Sequence, residues 1–134
     1  MSPLPHAAFA APPLADASPL AHRLVRAFRV AGLASGQDGD PQLRLIELLG
    51  SAQAASCFRL LIAGMAHVWP DPLTVFRPCC SRLTHDEAAL LAMVSHAGRH
   101  DRHAFDRAIA EMIGEDARDW LFVTAARLAA ALRI

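Results

Sequence analysis

The sequence predicts an all-α fold, a compact bundle of five or six helices with one Pro/Cys-containing loop in the middle. Apolar residues recur at three- and four-residue spacing in six stretches, Gly, Pro and capping residues punctuate those stretches, and no run alternates with the period of a strand. No internal repeat points to a solenoid, and 134 residues suit one core. The expected organisation is a Pro/Ala-rich extended or mobile tail over 1–18 and a single helical domain over 19–134.

The first helix opens at Ser18-Pro19, an N-cap followed by proline where its missing N–H costs nothing. Leu20, Leu24, Ala27, Phe28 and Ala31 form its inward stripe, with His22, Arg26 and Arg29 on the opposite, polar side. The polar run from Ser35 to Asp40, with Gly36, closes it. Asp40-Pro41 opens a short second helix carrying Leu45, Ile46, Leu48 and Leu49 up to Gly50. The third runs from about Ser51 to Val68 with Ala54, Cys57, Phe58, Leu61, Met65 and Val68 inward; Gly64 inside it predicts a close helix crossing.

From Trp69 to Arg82 the periodicity fails, because Pro70, Pro72 and Pro78 exclude a helix. Thr84-His-Asp-Glu87 then reads as a capping box, with Thr84 and Glu87 satisfying each other's backbone amides. The fourth helix carries Ala88, Leu90, Leu91 and Val94 to about His96, with Gly98 as its stop. Asp101 caps a fifth, with Phe105, Ile109, Met112 and Ile113 inward and Gly114 as its C′ residue. A sixth, from Asp116, places Leu121, Ala125, Leu128 and Leu132 on one face. Trp69 and Trp120 fall at helix ends, where indoles pack with their N–H reaching a carbonyl or water.

Composition excludes several functions. Thirteen Arg balance thirteen acids and Lys is absent, so the formal charge is zero, which disfavours a nucleic-acid coat or a polybasic membrane binder. An apolar share of 54% disfavours wholesale disorder. Lys, Asn and Tyr are missing while Ala fills 28 positions, which points to a G/C-rich bacterial genome and makes Arg counts weak functional evidence. The first twenty residues lack a basic leader segment, the most apolar run (Leu60 to Ala66) is far too short to span a bilayer, and three cysteines form no spaced framework. A cytoplasmic location is expected.

Chemistry concentrates in the middle of the chain. Arg77-Pro-Cys79-Cys80-Ser-Arg82 sets two thiols between guanidinium groups ahead of a helix N-terminus, an environment that favours thiolate. His85, His96, His100 and His103 crowd into nineteen residues, and the last three would share one face of an unbroken helix. Cys79 and Cys80 with His85, and with His96, His100 or His103 as further ligands, compose a metal site for zinc or a similar ion. The plain alternative is a buried thiol beside an exposed one and a solvated helix junction, since adjacent cysteines lack the two-residue gap of zinc-gripping turns and Gly98 with Asp101 breaks the helix. The same residues compose a thiol enzyme with Cys80 as nucleophile, His85 as base and Asp86 as orienter.

Leu83-Thr-His-Asp-Glu87, followed by Leu90-Leu91 and Gly98, resembles the opening of LuxR-type helix-turn-helix output domains over residues 83–98. That resemblance implies DNA binding through residues 83–113, with Arg102, His103 and Arg107 reading while Asp101 and Asp106 face phosphate. With neither a nucleophile motif nor a phosphate-cradling glycine loop, the reading is a non-enzymatic interaction or regulatory protein. Its partner is another protein or a second copy, and the Ala-rich faces around Gly64 and Ala125 to Ala131 are either intramolecular seams or a dimer surface. Nucleic acid and membrane are disfavoured.

Overall fold

The computed structural model describes residues 17–34, 41–76 and 80–133. Six helices form among them: α1 (Pro19–Ala34), α2 (Gln42–Leu49), α3 (Ala52–Val68), α4 (His85–Gly98), α5 (Arg102–Ile109) and α6 (Glu115–Ala131). The all-α bundle is therefore the observed architecture. Helix contacts close a ring, α1 to α2 to α3 to α6 to α4 and back to α1, with α5 packed on α4 and α6. One apolar core draws on all six, centred on Phe28, Phe58, Met65, Leu90, Phe105 and Leu121.

Local chemistry sets most boundaries. Ser18 Oγ accepts from the Ala21 amide at 3.1 Å, and Ser51 Oγ from the Ala54 amide at 3.0 Å, so both hydroxyls satisfy amides of a first turn. Gly50 ends α2 at φ +93°, a conformation that a Cβ would strain. The capping box forms as expected: Glu87 N donates to Thr84 Oγ1 and Thr84 N donates to Glu87 Oε1, both at 2.9 Å. The proposed closing run 35–40 and the tail over 1–16 lie outside the described residues.

The structure corrects three expectations. Helix α4 runs through Gly98 to a cap at Arg99, and the left-handed residue after it is His100 at φ +57° rather than the glycine. The expected fifth helix ends early, at Ile109. Met112 and Ile113 follow it in a turn, with Ile113 still buried, and Gly114 in extended conformation becomes the N-cap of α6 instead of a C′ residue. Ile113's carbonyl accepts from Arg118 Nη1 at 2.9 Å, a bond that sets this turn against α6.

The third correction is Arg29, which faces inward. Helix α1 buries two sides, Leu24, Ala27 and Phe28 against the bundle and Val25 and Arg29 against the segment 69–84. Gly32 continues that second side, and a Cβ there would crowd the Val75 side chain at 2.9 Å. Because an Arg at helical spacing from Arg26 and His22 reads as solvated, only the opposing loop reveals its burial.

No single described helix is long and apolar enough to cross a membrane, and the α2–α3 pair that passes together is bent by 111°.

Candidate functional site

Of the residues singled out for metal or thiol chemistry, the structure describes Cys80, His85, His96, His100 and His103. Cys79 lies outside the described residues. Cys80 is half-buried, and its carbonyl accepts from Arg29 Nη1 at 2.8 Å. His85 is exposed in the first turn of α4, His96 is half-buried at the other end of the helix 2.9 Å from Arg99 Nη2, and His100 and His103 are exposed. Among the described residues no three His, Cys, Asp or Glu side chains come together to hold a metal ion. Asp86 does not orient His85. Its carboxylate turns inward and accepts from Trp69 Nε1 at 2.9 Å and from the Thr74 amide at 2.7 Å.

What converges instead is a buried polar cluster that sequence reasoning missed. Arg29 and Glu87 are both 0% exposed and form a two-pronged ion pair, Nε to Oε2 at 2.8 Å and Nη2 to Oε1 at 3.1 Å. Arg29 also donates through Nη1 to the Cys80 carbonyl at 2.8 Å and through Nη2 to the Arg82 carbonyl at 2.6 Å. Glu87 accepts further from the Phe76 amide at 3.2 Å. Thr84 Oγ1 donates to the Thr74 carbonyl at 2.7 Å. These bonds serve described backbone of the segment between α3 and α4, at Thr74, Phe76, Cys80, Arg82 and Thr84, which has no helix to satisfy it. Both flanks of 77–79 are held on one ion pair, Phe76 by Glu87 and Cys80 by Arg29. With its carboxylate and guanidinium occupied by each other and by backbone, the cluster is a scaffold rather than an acid–base or nucleophilic centre.

The helix-turn-helix segment meets similar internal demand. Arg102 donates to Asp106 Oδ1 at 2.8 Å and to Asp119 Oδ1, and its guanidinium lies 5.3 Å from the Phe122 ring centre. Hydrogen bonds to Asp106 and then Asp119 raise its proton affinity above the ordinary arginine value. Arg118 Nε adds a contact to Asp106 at 3.4 Å. Arg102 thus ties α5 to α6 and is engaged where DNA reading would need it. His103 and Arg107 remain exposed on α5.

The surface feature with docking geometry is the outer face of the α3/α6 pair. Gly64 and His67 lie beside Ala117 and Trp120 at one end of the pair, and Gly50 and Gln53 beside Ala130 and Arg133 at the other, so the helices run antiparallel. The Trp120 ring lies on Gly64, where any Cβ would overlap it. At Gly64, where the sequence predicts a close crossing, an indole fills the space that a Cβ would take. Trp69 sits instead in the interior, its N–H on Asp86.

Leu60 (50% exposed) and Trp120 (44%) meet here, Val123 (49%) follows Trp120 by about one turn of α6, and Leu43 on α2 is the other exposed large apolar side chain among the described residues. Beside them runs a shallow apolar groove of about 400 Å³, lined by Leu60, Ala63, Gly64, Val68, Ala117 and Trp120, with His67 at its rim. The chain matches no family model, no curated protein and no solved structure, so its site is read from this geometry alone.

Proposed function

We propose that the protein is a non-enzymatic helical interaction protein whose working surface is the outer α3/α6 face. One observation carries the reading: of the four exposed large apolar side chains among the described residues, Leu60 and Trp120 line one groove beside Gly64, and Val123 stands about one helical turn from Trp120. Isolated surface apolar groups are ordinary, but a contiguous apolar strip on two packed helices costs hydration free energy unless something covers it. The absence of Lys, Asn and Tyr and an odd, unspaced cysteine count support a bacterial cytoplasm as its setting.

The test places a photo-activatable benzophenone side chain at position 123, with the more exposed position 43 on α2 as control. In cells producing the protein, position 123 should yield a discrete covalent adduct and position 43 should not. Equal yields at both positions, or none at 123, would remove the reading.

A further inference from the structure

We propose that a second copy of this chain covers the α3/α6 face, packed antiparallel about a two-fold axis that crosses α3 at Leu60 and α6 at Val123. The proposal rests on the reading of this face as an interface and adds the occupant and its register.

Both helices present heptad-like seams to solvent. On α3 the exposed residues Gln53, Ser56, Leu60, Ala63 and His67 are spaced 3, 4, 3 and 4 apart. On α6 the exposed residues Asp116, Trp120, Val123, Arg127 and Ala130 are spaced 4, 3, 4 and 3 apart. Such spacing keeps side chains on one stripe and is the pattern with which helices interlock at shallow crossing angles. The core-facing residues of α3 and α6 lie on other stripes, and of the seam residues Trp120 also covers Gly64 within the chain.

Each seam is self-complementary about its centre. Reversing α3 about Leu60 lays Ser56 on Ala63 and Gln53 on His67, so small residues meet small ones and the helices approach closely around a Leu60 pair. Reversing α6 about Val123 brings Arg127 against Asp119. Arg127 has no ion pair among the described residues, and Asp119 engages Arg102 through one carboxylate oxygen. The same reversal sets the Arg127 guanidinium near the exposed Trp120 ring, an arrangement suited to cation–π contact.

The two reversals share one axis. Gly64 stands level with Trp120 and Gln53 level with the end of α6, so Leu60 and Val123 fall at the same height on the antiparallel pair. A single two-fold rotation therefore pairs α3 with α3 and α6 with α6 at once, which is the condition for an isologous, closing contact. The result is a four-helix layer between copies. Two 17-residue helices give a footprint about 25 Å long and about 20 Å wide, near the lower bound for stable interfaces.

Light scattering and sedimentation of the full chain between about 1 µM and 0.5 mM test this. Concentration-dependent conversion from the 14.4 kDa chain to twice that mass is expected. Val123→Glu should weaken it by more than about 30-fold with unchanged far-UV circular dichroism, whereas Leu43→Glu should leave it intact. In a background without Cys57, Cys79 and Cys80, Val123→Cys and Leu60→Cys should each form a disulfide with its own counterpart on oxidation. A monomer throughout the range, a dimer indifferent to Val123→Glu, or disulfides only between Leu60→Cys and Val123→Cys chains would overturn the arrangement. A benzophenone adduct at position 123 with a different protein, or with residues 1–16 of the same chain, would also overturn it while leaving the α3/α6 face an interface.

Discussion

Replacing Glu87 by Gln probes the buried cluster with almost no change in volume. The native carboxylate accepts four hydrogen bonds, from Arg29 Nε and the Phe76 amide on Oε2, and from Arg29 Nη2 and the Thr84 amide on Oε1. An amide supplies one oxygen and one NH2, so in either orientation its NH2 confronts two donors. Two bonds are lost, at least one of them charge-assisted, and the fully buried Arg29 keeps its charge against carbonyls and a neutral group. Breaking one partner of a buried pair costs about 3–5 kcal/mol, a large share of the roughly 5–15 kcal/mol that holds a domain together. For a chain of this size that lowers the melting temperature by about 10–15 °C.

Urea unfolding followed by far-UV circular dichroism, at a protein concentration low enough to keep the chain monomeric, measures the loss. Arg29→Met should cost a similar amount, because it strands Glu87 and frees the Cys80 and Arg82 carbonyls. The double variant should cost less than the two singles added together, since both act on one network. A loss below about 1 kcal/mol for Glu87→Gln is what exposed pairs show, and it would refute the burial argument.

Three further outcomes follow from the same geometry. Asp86→Asn turns one of its two acceptors into a donor against Trp69 Nε1 or the Thr74 amide, so stability should fall by about 1–3 kcal/mol and the buried tryptophan emission should change; unchanged emission would contradict the bond. Gly64→Ala gains up to about 1 kcal/mol of helix propensity but expels the Trp120 ring, so emission should shift to the red with little net change in stability. Elemental analysis of untagged protein prepared without chelator should find far less than one zinc per chain, because no three His, Cys, Asp or Glu side chains come together among the described residues; a stoichiometric metal would return the working site to Cys79 and Cys80.

Some of this was legible along the chain because its causes are local. The Ser18 and Ser51 caps, the Thr84–Glu87 box and the stop at Gly50 each involve residues within a few positions, so their chemistry can be read in order. The helix break between Gly98 and Asp101 is also legible, although His100 and not the glycine takes the left-handed conformation. Gly114 was assigned to the helix before it because a glycine after an apolar run fits a C′ position as well as an N-cap. Gly64 announced a close crossing without naming what would lie on it.

Sequence by itself determined the all-α class, the approximate positions of the six helices and the caps that start α1, α3, α4 and α5, because helical periodicity and end-capping are set by near neighbours. Only the tertiary structure decided that Arg29 is buried on Glu87 across 58 residues, that Asp86 serves Trp69 rather than His85, and that Leu60 and Trp120 line one groove. Helical spacing shows which residues of one helix lie together. Which of them meet water is fixed by the element packed opposite, and that element comes from a distant part of the chain.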